Sequence, residues 1–209
     1  MPFLRNGRRR LDQDWPVLVR YADVLKGVHP RRRTILVAVD GFGGAGKSHF
    51  AAGVAAARPG TTVVHTDDFA SWDAGLDWQR LRRQVIGPLL ADRPARYQRY
   101  DWVAGCLAEW HDIPPGGTVV VEGVWSSRVT LADAYDVAVW VQSPRETCLR
   151  RGLERDGQAA LALWQRWMAE EDEYIEAEHP EGRAAIVVDG APTVEHDPDV
   201  QFVALRWPS

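Results

Sequence analysis

The segment at positions 41–48, GFGGAGKS, has residue types and a spacing that can bind phosphate groups. In the pattern GxxxxGK[ST], glycines let successive backbone N–H groups curl around a β-phosphate, the lysine reaches the β- and γ-phosphate oxygens, and the hydroxyl binds Mg²⁺. The sequence therefore predicts a nucleoside triphosphate site, with ATP or another NTP and Mg²⁺ as its cofactors. The predicted cofactor-binding residues are Gly41, Gly43, Gly44, Ala45, Gly46, Lys47, Ser48 and His49.

Acidic residues follow two apolar runs of the chain. Asp67 and Asp68 come after TTVVH, and Glu122 comes after TVVV. Ligands of an open α/β sheet bind at the carboxyl ends of its strands, where a carboxylate can accept a hydroxyl proton or help to hold Mg²⁺. The alternative is that Asp67 or Asp68 caps the turn after its strand, and that Glu122 is a hydrogen-bonded residue at the end of its strand. Beside a phosphate loop we favour a catalytic role for Asp67, and a metal site of Ser48, Asp67 and Glu122; Asp68 is the weaker candidate.

A cluster of arginines follows a later apolar run. Arg151 and Arg155 are four residues apart, so a helix places them on one face. Together with Lys47 they are candidates for stabilising negative charge that develops during a reaction of the triphosphate. A solvated helical face is the alternative interpretation.

The elements that must position these residues alternate between strands and helices. Strands are predicted at 34–40, 61–65, 118–121, 136–141 and 185–188, and helices at 15–27, 47–58, 76–91, 145–155 and 159–178. Apolar runs separated by helical periods are typical of a doubly wound α/β fold with a mainly parallel five-stranded sheet and helices on both faces. We predict one P-loop domain over 34–209 and an N-terminal helical extension over 1–33, and we leave the tail after 190 unassigned.

The composition narrows the function classes. The 209 residues are 45% hydrophobic and 26% charged, with a net charge of −4, so nothing in the overall charge favours nucleic acid or membrane as a partner. Two cysteines without metal-ligand spacing argue against a disulfide framework or a zinc site. The basic N-terminus lacks the apolar stretch of a signal peptide, and we expect a cytoplasmic protein that binds a small-molecule substrate. The sequence leaves the oligomeric state open, with a homodimer as one alternative.

The phosphate loop, Asp67-Asp68-Phe69, Tyr100-Asp101-Trp102, Val121-Glu122-Gly123 and the arginine helix together resemble the uridine kinase family of P-loop kinases, whose relatives include nicotinamide riboside, pantothenate and phosphoribulose kinases. The resemblance covers roughly residues 33–190. It implies that Asp67 is the base for the acceptor hydroxyl and that Arg151 and Arg155 are lid arginines. It also implies a substrate-binding set made of Asp77, Tyr100, Asp101, Trp102, Glu122 and Arg128.

One departure from the family pattern concerns the acceptor. Members that phosphorylate uridine carry a histidine shortly after Tyr-Asp-Phe, whereas this chain has Val103-Ala104-Gly105-Cys106-Leu107. The acceptor region carries tryptophans instead, and aromatic rings can stack on a planar ligand or belong to the core. These tryptophans are Trp72, Trp78, Trp102, Trp110 and Trp125.

Three functions stay open at this point. The first is ATP-dependent phosphorylation of a hydroxyl on a nucleoside or a similar small metabolite. The second is a nucleoside monophosphate kinase, whose acceptor phosphate needs cations. The third is a nucleotide-binding regulator without acceptor-stimulated turnover. The cations available to the second are Arg80, Arg82, Arg83, Arg93, Arg96 and Arg99.

Overall fold

The structure is a computed structural model that describes residues 16–71 and 75–208. Its strands are β1 Val17–Arg20, β2 Thr34–Gly41, β3 Thr61–His65, β4 Ala70–Ser71, β5 Gly75–Leu76, β6 Ala95–Asp101, β7 Cys106–Ile113, β8 Gly117–Glu122, β9 Val137–Gln142, β10 Ile186–Asp189 and β11 Gln201–Arg206. Its α-helices are α1 Lys47–Ala57, α2 Trp78–Leu81, α3 Gly87–Leu90, α4 Val129–Ala132, α5 Arg145–Asp156, α6 Leu161–Glu178 and α7 Pro180–Arg183. No helix within the described ranges has the length and apolar character needed to cross a membrane.

The main sheet has seven strands in the order β1-β11-β10-β9-β2-β8-β3. The five strands from β10 to β3 are parallel, and they are the five that the apolar runs predict. β2 therefore lies in the middle of the sheet, between β9 and β8. The chain after β2 leads to a strand on one side and returns later to strands on the other, which makes the end of β2 the switch point where α/β proteins bind ligands.

Two antiparallel strands extend the sheet beyond this parallel core. β11 pairs with both β10 and β1, so the tail after residue 190 contributes a strand. The predicted helix over 15–27 is wrong, because Val17–Arg20 is extended and a 3-10 turn at Tyr21–Asp23 follows it. The tight turn and the residues after it bring Tyr21, Val24 and Leu25 to the same core, and their offsets of three and four residues imitate helical spacing. The remainder of the predicted N-terminal extension, residues 1–15, lies outside the described residues.

Both faces of the parallel strands are buried. In β2, Val37 and Val39 belong to the core layer that holds α1, whereas Leu36 and Ala38 belong to the layer that holds the segment from α2 to α3. A strand covered on both faces needs a nearly continuous apolar run, and TILVAV supplies it. The predicted α/β fold with helices on both faces is therefore confirmed.

The segment after β5 differs in detail from the single predicted helix. α2 and α3 are joined by a π-helical turn over Arg82–Ile86, so the helix over 76–91 is confirmed for its interior but is not uniform.

A hairpin of β6 and β7 follows, and the sequence patterns did not predict it. Its turn is held by the Asp101 carboxylate, whose Oδ1 accepts hydrogen bonds from the backbone N–H groups of Val103 and Ala104, both at 2.9 Å.

Candidate active site

The phosphate loop connects the end of β2 to the start of α1. Gly41, Gly44 and Gly46 have φ angles of +147°, +76° and +106°, which side chains rarely adopt. A Cβ atom at Gly41 would lie 2.2 Å from the backbone oxygen of Val141, and one at Gly44 would lie 2.5 Å from that of Cys148. Gly41 and Gly44 are therefore required both by the backbone conformation and by the close approach of β9 and α5, and Gly46 by its backbone conformation.

Lys47 and Ser48 open α1 and face the loop. Lys47 is 7% exposed, and its Nζ donates to the backbone oxygen of Phe42 at 2.7 Å, so the ammonium lies across the loop. Ser48 Oγ donates to Glu122 Oε1 at 3.1 Å. This arrangement leaves the N-terminus of an eleven-residue helix and a buried cation beside the same loop, which is a site for anionic oxygens.

Other side chains hold the loop from outside, and two of them were not found from the sequence. The Gly43 N–H donates to Glu171 Oε1 at 2.8 Å, and Ser143 Oγ donates to the Ala45 oxygen at 2.9 Å. Arg151 donates to the Gly44 oxygen at 3.3 Å. Glu171 is buried and pairs with Arg145 at 2.6 Å. Glu171 and Ser143 are far from the loop in sequence, so no local pattern indicates them.

Glu122 joins the loop to the ends of β3 and β8. Its buried carboxylate accepts from Ser48 and lies 2.5 Å from His65 Nδ1. The hydrogen bond to Glu122 raises the pKa of His65 above its ordinary value, although burial of the ring opposes the shift. His65 was not among the predicted site residues, because a histidine at the end of a strand has no motif of its own.

Asp67 lies in the turn after β3, on the wall of the cavity. Its side chain keeps access to water through the cavity while protein surrounds it on the other sides. Desolvation raises its pKa above the ordinary value, and the nearby positive charges of Lys47, His65 and Arg155 oppose that shift. The Asp67 carbonyl accepts a hydrogen bond from Trp102 Nε1 at 3.2 Å, which connects this turn to the hairpin.

A cavity of about 1440 Å³ is lined by Lys47, Ser48, Asp67 and Glu122 together with glycines of the phosphate loop. β2 lies in the middle of the sheet, so the residues that line the cavity fall into two groups, one on each side of β2. The residues that follow β9 and β10, which we call the β10 half, include Arg151, Gly190, Pro192 and His196. The residues on the other side, which we call the β3 half, include Asp67, Trp102, Glu122 and Trp125. The phosphate loop lies between the two halves, so one molecule can bind on each side of it.

Comparison with solved structures identifies the same architecture elsewhere. A structure described as a possible uridine kinase from Bacillus stearothermophilus is similar with a TM-score of 0.63 and 18% identity, over 80% of this chain and 95% of that one. A candidate fructose transport system kinase from Silicibacter sp. TM1040 is similar with a TM-score of 0.64 and 21% identity, over 76% of this chain and 92% of that one. The chain has a P-loop kinase fold. No protein-family profile and no curated protein sequence matches it.

Within this kinase fold, several predicted site residues make contacts that hold the protein together. The Asp77 carboxylate caps α2 by accepting from the Arg80 N–H at 2.8 Å, and Asp101 holds the hairpin turn. Tyr100 packs edge-on against Trp102, and Arg128 pairs with Glu178 at 3.2 Å. Asp77, Tyr100, Asp101 and Arg128 lie outside the described lining of the cavity. Their substrate-binding roles stay predictions.

Most of the other predicted residues line the cavity, whereas Gly41 and Ala45 lie outside its described lining. Arg151 and Arg155 both line the cavity, with Arg151 also donating to the Gly190 oxygen at 3.0 Å and Arg155 paired with Asp156. His49 lines it as well, while Asp68 accepts from the Tyr97 hydroxyl at 3.0 Å. Trp72 lies outside the described residues. The phosphate loop thus faces the same cavity as Asp67, Glu122, Arg151 and Arg155, whose predicted roles stay predictions.

The donor set fits Mg²⁺. Among the described residues there is no group of three or more His, Cys, Asp or Glu side chains placed to hold a metal ion. Mg²⁺ needs no such cage, since in phosphate sites it binds one or two protein oxygens and takes the rest from phosphates and water. Ser48 Oγ and the Glu122 carboxylate are hard oxygen donors 3.1 Å apart beside the loop, and Asp67 lies on the same wall.

Proposed function

We propose that this protein transfers the γ-phosphoryl group of ATP to a hydroxyl group of a small metabolite, with a nucleoside as the first candidate. The observation that carries the proposal is the position of Asp67. Its carboxylate faces the same cavity as the phosphate loop, near enough to Lys47 for that ammonium to lower its pKa against the effect of burial. A carboxylate beside a phosphate loop can serve a second substrate, which a simple nucleotide-binding protein does not need.

On the donor side, the backbone N–H groups of the loop, Lys47 and the N-terminus of α1 bind the phosphates of ATP. Arg151 and Arg155, on the cavity side of α5, contribute positive charge near the β10 half. Ser48, Glu122 and Asp67 would hold Mg²⁺, which neutralises charge on the phosphate oxygens when it is bound. The base of the nucleotide then lies in the β10 half and the acceptor in the β3 half.

In the transfer step the acceptor oxygen forms a new bond to the γ-phosphorus, and the bond from that phosphorus to the β–γ bridging oxygen breaks. The acceptor proton moves to the Asp67 carboxylate, and ADP leaves. Lys47, Arg151 and Arg155 stabilise the charge that moves onto the phosphate oxygens. Catalysis of this kind consists of positioning and electrostatics, and it uses groups whose places are set before the substrates bind.

The arginines favour a neutral acceptor over a nucleoside monophosphate. Arg80, one of the six arginines available for an acceptor phosphate, donates to the backbone oxygens of Asp68 and Gln98. Arg82 donates to the Thr130 oxygen, and Arg96 and Arg99 are paired with acids of the hairpin. None of the six, all of which are described residues, lines the cavity. This disposition supports a hydroxyl acceptor without a phosphate.

The test is a coupled assay that measures ADP production with Mg-ATP and a panel of nucleosides, nucleoside monophosphates, vitamins with hydroxyl groups, sugars and sugar alcohols. We expect turnover stimulated by a neutral hydroxyl compound, with Asp67→Asn retaining ATP binding but losing that stimulation. Stimulation by monophosphates alone would favour the second function. ATP binding without stimulation by any acceptor, and unaffected by Asp67→Asn, would favour the regulator and contradict the proposal.

A further inference from the structure

Asp40 is a buried carboxylate that none of the proposed chemistry uses. It ends the apolar part of β2 directly before the phosphate loop, and it is 0% exposed. Its Oδ1 accepts from the N–H groups of Gly41 at 2.8 Å and Trp125 at 3.1 Å. Its Oδ2 accepts from the Ser127 N–H at 2.9 Å, and from the hydroxyls of Ser127 and Tyr174, both at 2.8 Å.

All five donors are uncharged N–H or O–H groups. Burial raises the pKa of Asp40, and the hydrogen bonds from Ser127, Tyr174 and Gly41 oppose that shift. An apolar residue in the middle of a sheet would cost less than a carboxylate that must be desolvated. The carboxylate is therefore explained by what it holds together, because it joins three separate segments: the start of the phosphate loop, the turn after β8, and α6.

Residues 123–127 form the turn after β8, which we call the Trp125 turn. Trp125 has a φ angle of +64°, one of three positive φ angles among the described residues other than glycine. For a bulky side chain this conformation is strained and persists only where the surroundings impose it. Two of the five hydrogen bonds to Asp40 come from backbone N–H groups of this turn, those of Trp125 and Ser127. These two bonds impose the strained conformation of Trp125.

The Trp125 side chain shows why the conformation matters. It lines the β3 half of the cavity, the half that contains Asp67. It also packs edge-on against the Tyr174 ring, with centroids 6.5 Å apart and planes at 72°. Tyr174 in turn donates its hydroxyl to Asp40. The carboxylate thus determines both the backbone and one packing partner of a residue on the cavity wall.

We infer that Asp40 is a positioning residue, which sets the place of Trp125 on the acceptor side of the cavity relative to the phosphate loop. The phosphate loop depends less on Asp40, since it is also held by Glu171, Ser143 and Arg151. Loss of the carboxylate should therefore disturb the acceptor side more than the donor side. The kinetic consequence rests on the proposed function, whereas the position of Trp125 does not.

Asp40→Asn is the informative variant because it preserves size. Whichever oxygen becomes the amide nitrogen, one backbone N–H of the Trp125 turn, either that of Trp125 or that of Ser127, then faces a donor instead of an acceptor. Tyr174→Phe is the milder variant, since it removes one donor and leaves the backbone bonds. Thr118→Val is the matched control: it removes a buried hydroxyl that accepts from Arg58 at 2.9 Å, near the opposite end of β8.

The first measurement is ¹⁹F NMR of the full chain labelled with 5-fluorotryptophan, with the Trp125 resonance assigned from Trp125→Phe. We expect that resonance to shift or broaden in Asp40→Asn, to change less in Tyr174→Phe, and to stay in place in Thr118→Val. An unchanged Trp125 resonance in Asp40→Asn would overturn the inference, whether or not the protein is a kinase. If Asp40→Asn does not fold, the Tyr174→Phe spectrum decides in the same way.

The second measurement separates positioning from a general loss of structure. With the best acceptor from the panel, we expect Asp40→Asn to raise the acceptor KM about tenfold and Tyr174→Phe about threefold, the range for one misplaced or lost hydrogen bond. The KM for Mg-ATP should change less than either. Equal changes in both KM values, or a lower kcat with both KM values unchanged, would contradict a specific role. If no acceptor stimulates turnover by the wild-type protein, the proposed function fails. The NMR measurement alone then tests whether Asp40 positions Trp125.

Discussion

The phosphate loop and the β3 half of the cavity are built in opposite ways. The loop is eight consecutive residues whose glycines adopt their positions locally. The β3 half is assembled from the ends of β3 and β8 and the turn of a hairpin, which meet only in the folded chain. Phosphates are common to all nucleoside triphosphates, so one contiguous motif can recognise them. An acceptor differs from enzyme to enzyme, and a wall made of separate segments can vary without altering the loop.

The sharpest separation of the two regions should come from Asp67→Asn. Loss of the proposed proton acceptor should lower kcat about 10³-fold, within the usual range for a general base, while the Kd for a fluorescent ATP analogue stays within about threefold. Asp68→Asn is the matched control, because the neighbouring carboxylate is occupied by the Tyr97 hydroxyl. A comparable loss of kcat in both variants would show that Asp67 is not the proton acceptor.

Lys47→Met should affect the donor side instead. Removing the ammonium takes a cation from the phosphates in the ground state and during transfer, so we expect weaker ATP binding together with a kcat lower by about 10²-fold. Lys26→Met serves as the control, since Lys26 is the chain's only other lysine, is exposed and lies outside the lining of the cavity. Unchanged ATP affinity in Lys47→Met would mean that the loop does not hold the triphosphate.

Gly123→Ala tests how tightly the β3 half is packed. The glycine has a φ of +138°, and a Cβ there would lie 1.8 Å from Thr66 Oγ1, so strain and overlap should lower the free energy of unfolding by about 2–4 kcal/mol. Gly60 has a φ of +84°, and no atom lies within 4 Å of a Cβ added there. Gly60→Ala therefore measures backbone strain without the steric overlap. Thermal unfolding followed by circular dichroism measures the stability of both variants. Equal losses of stability in Gly123→Ala and Gly60→Ala would argue against close packing at Gly123.

Glu171→Gln should have the smallest effect. The amide oxygen can still accept from the Gly43 N–H, but Arg145 loses the buried one of its two charged partners and keeps only the exposed Asp172 at 3.1 Å, so we expect ATP binding to weaken by about threefold. Glu173→Gln is the control on the same helix, since Glu173 is exposed and lies outside the lining of the cavity. ATP binding that is unchanged in Glu171→Gln would show that the loop needs no charged support from α6.

The parts of the fold that could be predicted are those whose signal is local. The five parallel strands are continuous apolar runs, and β2 shows the reason, since both of its faces are buried. The helix over 15–27 was wrong because Val17–Arg20 is a strand only through its pairing with β11, which lies about 185 residues later. The β6–β7 hairpin was not predicted for a similar reason. Each of its strands takes its register from the other, and Asp101 at its turn was assigned to substrate instead.

The sequence by itself determined the phosphate loop, with Lys47 and Ser48 in it, and the acids Asp67 and Glu122 at strand ends. Loop conformation depends on glycines within the motif, and strand ends follow from apolar runs, so both can be read locally. Only the tertiary structure decided that Glu171 holds the loop, and that Asp40 holds the Trp125 turn. A buried carboxylate must find its donors wherever the fold brings them, and those donors are up to 134 residues away.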